Sequence, residues 1–145
     1  MSDISKSIWI DAPPEIVFEY FTNAEKMTQW CGRNAELDPV PKGTYRLDMG
    51  EWGVVQGQYV RIDAPTFVSI ELHGPAGSNM PPSMLEVSIT AEAGGSRVDV
   101  RQTGLEGPML SIAGRVLDHH LARLSVVANG GSPGSDTICT RTMQM

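Results

Sequence analysis

The chain has 145 residues, 41% of them hydrophobic, with 11 basic against 17 acidic side chains and a formal net charge of -6. That length suits one domain with a single core, and the acidic balance repels nucleic-acid backbones and anionic lipid surfaces. No apolar run reaches the roughly 18 residues of a membrane span, and the opening MSDISKSIWID lacks the apolar stretch of a secretory signal, so a cytoplasmic protein without nucleic-acid or membrane partners is expected.

Taken in order, Ile4 to Asp11 alternates, with Ile4, Lys6, Ile8 and Ile10 on one face and Ser5, Ser7, Trp9 and Asp11 on the other, the pattern of a first strand. Asp11-Ala12-Pro13-Pro14-Glu15 is a helix entry, since proline fits a first turn and a carboxylate favours the positive helix end. Ile16, Val17, Tyr20 and Phe21 share a face of that short helix. Asn23 is placed to cap a second one carrying Met27 and Trp30, closed by Gly32.

From Asn34 the period becomes two. Turn signals at Pro39 to Gly43, Asp63-Ala64-Pro65, His73 to Pro82 and Ala93-Gly94-Gly95 separate six strands, approximately Ala35 to Asp38, Thr44 to Met49, Val54 to Ile62, Phe67 to Leu72, Ser83 to Glu92 and Arg97 to Thr103. Val68, Ile70 and Leu72, then Leu85, Val87 and Ile89, then Val98, Val100 and Gln102 each fall on one side, with polar residues opposite, as in an antiparallel sheet with one wet face. The last element, Gly107 to Asn129, is a long amphipathic helix. Leu110, Ala113, Gly114, Leu117, Leu121, Leu124 and Ala128 form its stripe and Val116, His120 and Val127 its shoulder. Gly107-Pro108 starts it and Asn129-Gly130-Gly131 ends it. One domain over residues 1–129 is expected, with residues 130–145 as a flexible tail. Cys31 and Cys139 are expected to be free thiols.

The order of one strand, two short helices, six strands and one long helix resembles the helix-grip fold of the START-like and birch-pollen-allergen-like superfamily, also called SRPBCC. The stretch Ile10 to Phe18 is similar to that superfamily's entry into its first helix, and Thr28-Gln29-Trp30-Cys31-Gly32 to its tryptophan-containing turn. Pro41 to Leu47 and Gly57 to Pro65 resemble the branch named after activators of the heat-shock-protein ATPase, with Lys42 where the branch often carries glycine. The resemblance implies an α+β protein in which a curved, seven-stranded antiparallel sheet wraps the C-terminal helix around an apolar cavity. Members bind lipids, sterols, polyketides or other aromatic molecules, and some are cyclases or hydrolases.

Candidate chemistry is sparse. His73, His119 and His120 lack the spacing of a metal site, because neighbours on a helix point about 100 degrees apart, so neither metal nor cofactor is expected. No nucleophile elbow, Walker loop or dinucleotide fingerprint is present. Glu71, Glu86 and Asp99 fall on the wet face, and no catalytic residue is assigned; His120 alone would serve an enzyme of the cyclase or hydrolase kind. The expected function is binding of a small apolar or aromatic molecule, with a co-chaperone-like or homodimeric interaction module as the alternative. Cavity-lining positions are Trp30, Tyr45, Leu47, Met49, Gln58, Val60, Ile70, Leu72, Leu85, Val87, Gln102, Val116, Leu117 and His120. Gln58 and Gln102 carry weight among them: both fall in register with apolar neighbours, and a buried amide needs a polar partner.

Overall fold

The computed structural model describes residues 3–31, 34–48, 54–73, 82–105 and 107–131. The elements are β1 (Asp3–Ile10), α1 (Pro14–Thr22), α2 (Ala24–Met27), β2 (Asn34–Leu37), β3 (Thr44–Asp48), β4 (Val54–Asp63), β5 (Phe67–His73), β6 (Ser83–Glu92), β7 (Gly95–Thr103) and α3 (Pro108–Ala128), in the order expected from the sequence. Met49, Cys139 and the tail beyond Gly131 lie outside the described residues.

The boundaries follow from local chemistry. Pro14 and Glu15 occupy the first turn of α1. Extended Asn23 ends that helix and caps the next, its side chain accepting from the Lys26 N–H at 3.1 Å. Lys42 adopts φ 67, the left-handed geometry that favours glycine, and its N–H donates to the Tyr59 carbonyl at 2.7 Å. At the far end of α3, Asn129 donates from Nδ2 to the Ser125 carbonyl and accepts at Oδ1 from the Asp11 N–H at 2.9 Å, tying the helix end to the exit of β1.

The seven strands form one antiparallel sheet in the order β1-β7-β6-β5-β4-β3-β2. Its outer face is polar. Arg101 pairs with Asp3 at 3.0 Å, Arg97 with Asp99 at 3.2 Å and Arg46 with Glu36 at 3.4 Å, all exposed pairs of the kind that solvate a sheet and add little stability. The inner face supplies Ile10, Tyr45, Leu47, Tyr59, Val68, Ile70, Val87, Ile89, Val98 and Val100 to a core completed by Val17, Phe18, Phe21, Met27, Leu121 and Leu124 from the helices. No described helix is long and apolar enough to cross a membrane.

Two expectations need correction. Gln58 and Val60 are exposed, Val60 by 43%, and they line nothing on the inner side. The register between β4 and β5 shifts between Tyr59 and Arg61, leaving Val60 as an extra residue in a bulge. Val55, Gly57 and Tyr59 therefore point inward before the bulge and Ile62 after it, whereas strict alternation through Gln58, Val60 and Ile62 puts the first two on the wrong face. The second correction concerns α3. His120 and Leu121 are 2% exposed and Leu124 is fully buried, while Val116 and Leu117 are only half-buried. The C-terminal half of the helix is thus the anchor. Lys6–Asp118 at 3.2 Å ties this helix to β1, and the Arg123 Nε donates to the Trp30 carbonyl at 3.2 Å.

Leu124→Ala should lower stability by about 2 to 5 kcal/mol, as for a fully enclosed leucine, and Leu117→Ala by less than about 2 kcal/mol; urea unfolding of both variants measures the difference. Gly57→Ala should cost more than Leu117→Ala in the same experiment, because a Cβ at Gly57 would run into the backbone carbonyl of Glu71.

Candidate functional site

The inner face changes character along its length. At the end covered by α1 and α2 it is closed by aromatic packing: Phe21 meets Trp30 edge-on at 5.3 Å between ring centroids, and Tyr45 meets Tyr59 at 5.7 Å. The polar atoms there are satisfied by backbone carbonyls. The Trp30 Nε1 donates to Tyr20 at 2.9 Å, the Tyr59 hydroxyl to Phe21 at 3.0 Å and the Ser96 hydroxyl to Ala12 at 2.6 Å. Toward the other end the inward side chains are no longer fully covered. Val55 of β4, Leu72 of β5 and Leu85 of β6 are half-buried, as are Val116 and Leu117 on α3; Leu37 of the edge strand β2 is half-buried too, beside Tyr45. These are apolar side chains that face a helix across a sheet and still meet solvent.

The residues expected to line a cavity divide accordingly. Trp30, Tyr45, Leu47, Ile70 and Val87 are buried in the core. Leu72, Leu85, Gln102, Val116 and Leu117 are half-buried at the open end, and Gln58 and Val60 lie on the outer side. The sequence reading missed Leu37, Val55 and Ser83. Val55 follows once the bulge is known, and Ser83 follows from its parity with Leu85 and Val87, the face that also carries Leu72, its partner across β5 and β6.

His120, expected on the cavity wall, is buried. Its Nδ1 lies 2.9 Å from the Val116 carbonyl, an acceptor only, so Nδ1 carries the proton. The His119 ring stands edge-on to it at 4.8 Å. His73 is on the outer face, 3.1 Å from Glu71. Among the described residues no group of three or more His, Cys, Asp or Glu side chains could hold a metal ion. Cys31 is a buried thiol beside Tyr45. Burial pushes the Tyr45 phenol well above its ordinary value, with smaller contributions from Cys31 and Tyr59. Burial likewise pushes the Tyr59 phenol up, aided by Asp38. These two phenols are structural, deep in the closed end.

Comparison with known proteins places this geometry. The model of the family described as activator of Hsp90 ATPase homolog 1-like protein matches residues 11–128. Among curated protein sequences none matches. Solved structures with the same fold include DynU16 of the dynemicin biosynthetic locus, with a TM-score of 0.79 and 16% identity over 92% of this chain; the chain spans 49% of that protein's length. An HSP90 activator from Plasmodium falciparum has a TM-score of 0.76 and 18% identity, with 88% of this chain and 96% of that one covered. The Aha1 dimer from Colwellia psychrerythraea has a TM-score of 0.80 and 15% identity, with 90% and 98% covered.

Alkaline titration tests the closed end. The folded protein holds Tyr45 and Tyr59 protonated where the unfolded chain ionises them, so above pH 10.0 the unfolded state binds fewer protons; the stability they contribute is complete below that pH and is lost as pH rises past it. Melting temperatures should fall steeply over that range. Tyr59→Phe should flatten the fall while costing about 1 to 2 kcal/mol at neutral pH, because the Phe21 carbonyl loses its donor.

Proposed function

Because the chain belongs to the activator of Hsp90 ATPase homolog 1-like family, within the START-like superfamily whose fold it shares, we propose that it is a binding protein for a small, largely apolar or aromatic molecule, held in the cleft between α3 and the open end of the sheet. The observation that carries this reading is the gradient of burial along the inner face. Val68 and Ile70 are sealed and Leu72, the next inward residue of β5, is half-buried; Ile89 and Val87 are sealed and Leu85 is half-buried. Leu121 and Leu124 of α3 are sealed where Val116 and Leu117 are not. Covering such side chains with a guest gains roughly 25 cal/mol for each Å² of apolar surface removed from water. A guest held between elements that are folded without it would meet little ordering cost.

A second reading, an interaction module, is favoured by the relatives: one solved structure of the same fold is an HSP90 activator and another is a dimer. It would use the polar outer face or a sheet edge. The two readings make different demands on Leu85. A guest in the cleft must touch it, whereas a partner on the outer face cannot.

Native mass spectrometry of protein purified from its host should show a retained small molecule. The neutral probe N-phenyl-1-naphthylamine should fluoresce on binding the emptied protein. Leu85→Trp, which fills the cleft, should abolish both signals without lowering the melting temperature by more than a few degrees. A wild-type protein with no bound mass and no probe response, but with stimulation of a heat-shock-protein ATPase, would favour the second reading.

A further inference from the structure

The inward positions of β5, β6 and β7 are apolar with three exceptions, Ser83, Ser96 and Gln102. Ser96 spends its hydroxyl on the Ala12 carbonyl in the closed end, at 2.6 Å. Ser83 and Gln102 stand together at the open end. The Gln102 Nε2 donates to the Ser83 Oγ at 3.0 Å. Ser83 is only 7% exposed, and Gln102 is half-buried. Their surroundings are apolar: Leu72 lies opposite Ser83 across β5 and β6, Leu85 opposite Gln102 across β6 and β7, and Ile4 opposite Gln102 across β1 and β7. One bond between two such groups leaves capacity unspent. Among the described residues, the Ser83 hydroxyl proton and the Gln102 carbonyl oxygen have no partner. The second N–H of the Gln102 amide is unspent as well, and turning the amide over still leaves at least one donor and one acceptor.

Resting on the reading of the cleft as a guest site, we propose that the Ser83–Gln102 pair reads the polar group of the guest and selects an apolar or aromatic frame carrying a neutral hydroxyl or secondary amide, a group that gives one hydrogen bond and takes one. A hydrocarbon covering the pair strips its water and replaces nothing, and each unmade bond lowers affinity by roughly tenfold. A guest that gives and takes restores both bonds. Discrimination arises because the analogue without the polar group is penalised. Ser83 and Gln102 are themselves neutral, and the inward cation of β1, Lys6, is already paired with Asp118 at 3.2 Å, so the pair presents no counter-charge of its own to a carboxylate or a phosphate. The preferred guest is therefore uncharged.

Three probes of one shape separate these effects: 2-naphthol, its methyl ether 2-methoxynaphthalene, and naphthalene, titrated calorimetrically into the ligand-free full chain, into Gln102→Leu and into Ser83→Ala. Wild-type protein should bind 2-naphthol about tenfold or more tightly than either analogue. Gln102→Leu should erase that preference while leaving naphthalene affinity unchanged or improved, a result that loss of structure cannot produce, and Ser83→Ala should reduce it. Equal binding of all three probes by wild-type protein, or a preference that survives in both variants, overturns the inference and leaves the cleft reading standing. Failure of every probe to bind overturns both. Should Gln102→Leu not fold, Ser83→Ala carries the comparison alone.

Discussion

Tyr59 is where the sheet, the turn between β2 and β3 and the first helix are tied together. Its hydroxyl donates to the Phe21 carbonyl of α1, and its ring meets Tyr45. Its backbone accepts from the Lys42 N–H and donates to the Gly43 carbonyl. Fully buried, it cannot give up that hydroxyl bond to water, so the position of α1 over the sheet follows from it. The next residue, Val60, is the extra one in the bulge, which allows β4 to carry Tyr59 inward and still return Ile62 to the same face. Much of the closed end depends on this one side chain and the irregularity beside it.

A sheet closed at one end by α1, α2 and the anchored half of α3 meets only the first half of α3 at its other end among the described residues. That is why the same strands carry sealed and half-buried side chains on one face. The division runs through α3 itself. His120, Leu121 and Leu124 hold the helix to the sheet, Arg123 reaches the Trp30 turn, and Val116 and Leu117 one turn earlier stand over the opening. Sealed and half-buried side chains thus fall on successive turns of one helix.

The relatives share this framework at 15 to 18% identity, so the likeness is one of fold and not of site. The inward positions of β5, β6 and β7 have a small polar content. Ser83 and Gln102 sit among leucines, and the aromatic hydroxyls of Tyr45 and Tyr59 face the closed end, where Met27 and the Phe21 carbonyl receive them. Such a lining suits recognition of shape with a single polar contact better than proton transfer. His120, the one histidine that the sequence offered to an enzyme, has its Nδ1 proton committed to the carbonyl one turn back.

Periodicity carried most of the architecture. The alternation in β5, β6 and β7, the 3.6-residue stripe of α3, and the proline and asparagine signals around α1 and α2 determined the number, type and order of the elements, because each reflects a local constraint of the backbone. Two matters were beyond local pattern. The bulge at Val60 reverses the face of every residue on one side of it, and nothing in Gln58-Tyr59-Val60-Arg61 announces it; pairing with β5 decides it. The same holds for α3, where a stripe of leucines looks alike along its length. Only packing against β1 and the Trp30 turn determines that Leu121 and Leu124 are sealed and Leu117 is not. The sequence by itself therefore determined which residues are apolar and the type and order of the elements, and the tertiary structure alone decided which way β4 faces around its bulge and where the apolar face is sealed, since burial depends on what other elements bring to it.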